Sequence, residues 1–263
     1  MANELQLNYP EIISKIEGHY RDTIALIAEV GNKIDKKLHF EPENKKLIIG
    51  RDTLKRIHSN INVLINIKIS GPTVVAYRLI LRAMFADFVE AIYLVASEDK
   101  KLEKELWKRN LEAVRTFELW IKGKAEFYKK VDKLNTSTID VNKMYPYFTE
   151  YVNPEFQTEF YSKKQHKKLD TASMAKHLEK YQHEIFYYVT QLYLNYRFLS
   201  LTEHYTPAFR RNSYLSPEDY IMFEDFSAWI YLGAKILTEM LNEIVDTGTI
   251  VFRLSDGTIL DSI

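Results

Sequence analysis

The stretch from His183 to His204, HEIFYYVTQLYLNYRFLSLTEH, constrains this chain more than any other. It is almost wholly apolar, yet an arginine and a histidine are set into its last turns. A helix of that character needs other long apolar helices to bury it, and the rest of the chain supplies them. At 263 residues there is enough chain to bury most of such a surface. With 46% apolar and 27% charged residues, the composition is that of a folded chain rather than a disordered one. The expectation is a single all-α domain over residues 1–263, a bundle of long helices with the His183–His204 stretch as the element the others pack around.

Asn8 ahead of Tyr9-Pro10 reads as a cap with proline in the first turn. Ile12, Ile13, Ile16, Tyr20, Ile24 and Ile27 follow at helical spacing, and that helix is expected to end near Lys36. A second helix is predicted from about Asn44, stopping by Gly71-Pro72. The third, from about Pro72 to Ala96, is apolar on most sides and so belongs in the middle of a bundle. Its charges, Arg78 and Arg82 against Asp87 and Glu90, are expected to pair or to line a polar seam, because an unpaired buried charge is costly. A more amphipathic helix is predicted from Glu98 to about Lys133.

Residues 134–170 lose the periodicity and carry Pro146, Pro154 and many aromatics, which predicts a long loop or lid. Asp170 has the place of a cap for the helices leading into the central stretch. Ser216-Pro217-Glu218-Asp219 is a strong start for a last helix running to about Val245. Asp256-Gly257, among alternating residues, predicts a short C-terminal β-hairpin over 248–263.

Charge and cysteine content exclude whole classes of function. With 36 basic and 36 acidic side chains no global field draws the chain to nucleic acid or anionic lipid, so such binding would rest on local patches. The densest are Lys163, Lys164, Lys167 and Lys168, followed by Arg210 and Arg211. Cysteine is absent, which removes disulfides, thiolate nucleophiles and cysteine zinc sites and fits a reducing, cytoplasmic setting. The N-terminus has no signal-like core. The longest uncharged run, Ile185 to Tyr196, is too short to span a bilayer, so no membrane association is expected. Neither Glu-x-x-His nor His-Glu-x-x-His occurs, and eight glycines build no phosphate loop, so neither metal nor cofactor is expected.

At about 100° per residue, His183, Thr190, Arg197 and His204 recur every seven residues along one side of the central helix, with Ser200 beside them. Arg197 and His204, two turns apart, can converge on a phosphate-sized group. The first offers a bidentate fork and the second a nitrogen that titrates near neutral pH.

Arg197-FLSLTE-His204 is similar to the Arg-x4-6-His signature of the HEPN superfamily, helical proteins of prokaryotic defence and toxin–antitoxin systems. The segment YRFLSLTEH, with YRLILRAMFADFVEAIYL upstream, also resembles an uncharacterised all-helical bacterial family that closes on Tyr-x-x-Leu-Ser and a nearby His. That second likeness covers the layout of about residues 45–245. The HEPN resemblance implies a metal-independent endoribonuclease, or a defence or toxin effector, working as a homodimer on RNA and open to a protein partner such as an antitoxin. Arg197 would steady the phosphorane, and His204 would move protons at the 2′-hydroxyl or the leaving oxygen. Ser200, Arg210, Arg211 and the four lysines would contact RNA. The chain departs from the pattern at Phe198, where many active members carry a polar residue. Arg51-DTLKRI-His58 repeats the spacing in a polar stretch and is read as coincidence.

A competing reading stands beside this one. The chain is then a non-catalytic helical module for a partner or ligand, in which Arg197 is a structural arginine bonded to Asp87 or Glu90 and His204 caps a helix end.

Overall fold

The computed structural model describes residues 8–109, 112, 169–179, 184–200 and 215–248, together with the backbone of 252–253 and 259–260. Contacts divide the chain into two compact units, one of Met1–Ser97 with Thr171–Ile263 and one of Glu98–Asp170. The first holds six described helices: α1 (Tyr9–Phe40), α2 (Lys45–Ile67), α3 (Val74–Ala96), α4 (Thr171–Leu178), α5 (Glu184–Ser200) and α6 (Pro217–Thr247). All-α architecture is thus established for the described residues. Two-residue strands Phe252–Arg253 and Ile259–Leu260 pair antiparallel, Phe252 opposite Leu260. The turn between them, and with it most of the hairpin expected over 248–263, lies outside the described residues.

Helix ends follow local chemistry. Asn8 and Asn44 cap α1 and α2, each accepting from an amide three residues on. Helix α1 runs past Lys36 to Phe40 because its inward face continues: Ile12, Ile16, Tyr20, Thr23, Ile27, Val30, Ile34 and Leu38 are all buried. Helix α2 stops at Ile67, short of Gly71, where Lys68 takes a positive φ of 50°. At the start of α6 the Asp219 carboxylate reaches back to the Ser216 amide at 2.7 Å, one half of a capping box.

The middle of this unit is α3, not the His183–His204 stretch. Fourteen of the 23 residues of α3 are buried, and it packs on α2, α4, α5 and α6. Helix α5, expected to be enclosed, instead leaves Tyr187, Leu194 and Phe198 at 63%, 50% and 49% exposure. Its apolar residues lie all round the helix, but among the described residues the side carrying Tyr187, Leu194 and Phe198 is left half open to solvent.

Contact pairs set the directions of the helices. Tyr9 meets Tyr220, Lys15 meets Glu224 and His19 meets Ser227, so α1 and α6 run parallel. Tyr188 meets Trp229 and Phe198 meets Phe226, so α5 and α6 run antiparallel. Where α1, α3 and α6 meet, the hydroxyls of Tyr20 and Tyr77 lie 2.7 Å apart in full burial, beside the tilted pair of Tyr77 and Phe223. Burial, more than any neighbour, holds both phenols above their ordinary range, so they are neutral hydrogen-bonding groups here.

In the second unit the described part is helical over 99–109. Glu105 accepts from the Leu169 amide at 2.8 Å and faces Lys108 at 3.5 Å, tying the two ends of the unit together. The loop or lid expected over 134–170 otherwise lies outside the described residues. Among the described residues, no helix is long and apolar enough to cross a membrane.

Candidate functional site

Three charged residues of α3 meet partners on other helices. Arg78, buried, pairs with the Asp219 carboxylate of α6 and lies 6.0 Å from the Phe223 ring centre. Asp87 pairs with Arg56 of α2 at 3.1 Å. Arg82 reaches α5, where its Nε donates to the Ser200 hydroxyl at 2.9 Å. Its guanidinium also stands 5.0 Å from the Tyr196 ring centre, with a terminal nitrogen 3.4 Å from the Tyr196 hydroxyl. Of the four charges expected to pair or to line a polar seam, Arg78, Arg82 and Asp87 thus meet partners on other helices. Helical spacing shows which charges share a helix, not which neighbour answers them.

Arg82, Tyr196 and Ser200 join the two segments that carry the second sequence resemblance. In the sequence, Arg82 stands out only as a charge in need of a partner. The Ser200 hydroxyl is spoken for, donating to the Tyr196 carbonyl at 2.8 Å while it accepts from Arg82, and the residue is only 9% exposed.

Arg197, one turn back, is exposed, and no described residue pairs with it. The carboxylate of Asp87, which the structural reading offers it, is held by Arg56 instead. His204, Lys163, Lys164, Lys167, Lys168, Arg210 and Arg211 lie outside the described residues. Of the proposed site, Arg197 and Ser200 alone have a described position, on neighbouring sides of the last turn of α5.

Helical geometry divides the outer side of α5 into three strips. Tyr187, Leu194 and Phe198 fall within about 40° of one another and form an apolar ridge. Arg197 and Thr190 lie on one flank, and Thr190 donates to Glu179, just beyond α4, at 3.3 Å. Asn195 lies on the other flank and lines a cleft of about 440 Å³ against α6, with Glu218, Ile221, Met222, Asp225, Phe226 and Trp229. The Asn195 side-chain nitrogen is buried there with no hydrogen-bond partner among the described residues. The Glu218 carboxyl is held below its usual range by its own backbone N–H and then by the Ser216 hydroxyl.

A serine and a histidine also meet, at Ser227 and His19, 2.8 Å apart. Ser227 is fully buried, and its hydroxyl donates to the Glu224 carbonyl at 2.7 Å, so the His19 Nδ1 must donate to the serine oxygen. That polarity is the reverse of a nucleophile and its base. His19 is a half-buried link between α1 and α6. Among the described residues no group of three or more His, Asp or Glu side chains is placed to hold a metal ion.

No family model, no curated protein and no solved structure matches this chain.

Proposed function

We propose that this chain is a helical interaction module whose working surface is the outer side of α5. One observation carries the reading. Three large apolar side chains and a guanidinium open to solvent on a helix whose opposite side, Phe186, Val189, Leu192 and Leu199, is buried to within 1%. Contiguous apolar side chains rimmed by charge mark an association site on a folded surface. If these residues serve binding rather than folding, Leu194→Ser with Phe198→Ser changes stability by less than about 1 kcal/mol. Leu192→Ala or Leu199→Ala then costs about 2–5 kcal/mol. Urea unfolding of the three variants decides it, and a core-sized loss in the double serine variant overturns the reading.

The second reading is the HEPN-like one, metal-independent RNA cleavage by Arg197 and His204 in a prokaryotic defence or toxin effector. It is supported by the openness of Arg197, which leaves the fork available to a phosphate. Incubation with RNA in the presence of EDTA tests it. Cleavage by the wild type that disappears in both Arg197→Ala and His204→Ala, with helicity unchanged, is the expected result. Intact RNA, or equal cleavage by the variants, would sink it.

A further inference from the structure

One stripe of α6 lines the cleft beside α5. At about 100° per residue, Glu218, Met222, Asp225 and Trp229 fall within about 60° of one another, with Ile221 at their edge. All five line the cleft of about 440 Å³, and Asn195 lines it from α5. None of Tyr187, Leu194 and Phe198 does, so the cleft is a separate feature from the ridge. Its volume is that of a small-molecule site.

The two acids of the stripe are seven residues apart, roughly 10 Å along the helix. Glu218 bonds to its own backbone N–H and to the Ser216 hydroxyl, which holds its carboxylate at the start of α6 and away from Asp225. Between the acids lie Met222 and the 43% exposed Ile221, and one turn past Asp225 comes the Trp229 indole. Among the described residues no cation answers either acid. Lys15 is taken by Glu11 and Glu224, Arg78 by Asp219, and Arg197 lies about 160° round α5 from Asn195. The Asn195 nitrogen is sealed without a partner among the described residues, so the end it can turn to the cleft is its oxygen. A buried amide end without a partner weakens the fold, which leucine in that place would not. As an acceptor for something in the cleft, the residue has a use.

We propose that the cleft between α5 and α6 binds a linear aliphatic diamine or polyamine. One ammonium sits on Glu218 and a second on Asp225 and the Asn195 oxygen, beside the Trp229 ring, with the methylene chain along Ile221 and Met222. Two carboxylates and an amide oxygen are all acceptors, and an ammonium is all donors. The indole face adds its own attraction for a cation. Spacing of the acids selects the length, since a chain must reach both ends while its middle covers apolar side chains.

Calorimetric titration of the full chain with octamethylene diamine tests this. Saturable binding of one diamine per chain is expected, weakening as salt is raised because the acids are exposed. Putrescine has the same two charges but is too short to span them, and should bind at least about threefold more weakly, a modest factor of the size exposed ion pairs supply. Glu218→Gln and Asp225→Asn should each weaken the longer diamine by a similar factor and erase its advantage over putrescine. Asp246→Asn removes an exposed carboxylate outside the cleft and should change nothing. Asn195→Leu should weaken binding while the melting temperature holds or rises, a combination that a purely structural asparagine would not give.

Absence of saturable binding, equal affinity for the two diamines, or a loss in Asp246→Asn as large as that in Asp225→Asn overturns the proposal. So does binding untouched by Asn195→Leu. Circular dichroism of each variant separates a lost site from a lost fold, and the comparison of the two diamines on the wild type needs no variant at all. The ridge on α5 has no part in this test, so the interaction reading above stands or falls separately.

Discussion

Asp87 shows how little an ion pair says about stability by itself. Its side chain is 22% exposed, while that of Arg56, its partner at 3.1 Å, is 59% exposed. The guanidinium acts largely through water and its attraction is screened, whereas the carboxylate has lost much of its hydration. Burial therefore outweighs the attraction, and the Asp87 carboxyl is held above its usual range. A carboxyl whose folded pKa lies above its unfolded value of about 4 binds its proton more tightly in the folded state. Its contribution to stability is then present below that pH and is lost as pH rises through the folded value. Asp87→Asn is accordingly expected to hold or raise the melting temperature at pH 7, with its advantage over the wild type shrinking towards pH 4. Thermal melts across that range check it, and a drop in melting temperature at pH 7 would show that the pair with Arg56 wins. The need of Asp87 for a partner was visible in the sequence. The identity of that partner, and the dominance of burial over attraction, were not.

Among the elements, the same substitution is expected to change sign with its surroundings. In α1, a Cβ added at Gly18 or Gly31 meets nothing within 4 Å. Alanine there should stabilise the protein by about 0.5–1 kcal/mol, through a stiffer unfolded chain and better helix propensity. In α6, a Cβ at Gly233 would stand 2.9 Å from the Phe88 ring, which is fully buried in α3. A rigid ring cannot yield as a flexible side chain would. Overpacking of about 1–3 kcal/mol then exceeds the roughly 1 kcal/mol gained in propensity, and Gly233→Ala should destabilise. Urea unfolding of the variants measures both, and a stabilised Gly233→Ala would mean that α3 and α6 are less tightly apposed. That α3 lies inside the bundle was legible because it is apolar on most sides, but that it rather than α5 is the middle was not, since α5 is apolar all round as well. Close approach at Gly233 was not, because a glycine in a helix looks the same in sequence whether it faces water or a ring.

For the molecule as a whole, the pair of Arg78 and Asp219 bridges 141 positions of sequence and joins the middle of the bundle to the start of its last helix. Both side chains are nearly sealed from water, so removing one takes from the other the opposite charge it is buried against. Asp219→Ala is expected to cost about 3–5 kcal/mol. Replacing the pair with apolar side chains, Arg78→Met with Asp219→Leu, should recover most of that and leave a residue of about 1 kcal/mol for the lost reach to the Ser216 amide. Denaturant unfolding of the single and double variants separates the two parts. Equal losses in both would show that packing, rather than charge, sets the cost.

Sequence by itself determined the helical class, the cap at Asn8 and the helix starts near Asn44 and at Ser216, since each of these depends on residues within a few turns of one another. Only the tertiary structure decided that Asp219 answers Arg78, that Ser200 and Tyr196 answer Arg82, and that α5 keeps one side in water. The physical reason is that helical periodicity tells which side chains share a side of a helix but carries no record of what packs there. Leu194 and Phe198 are as apolar as Leu192 and Leu199, and only the positions of the neighbouring helices make the first pair surface and the second pair core.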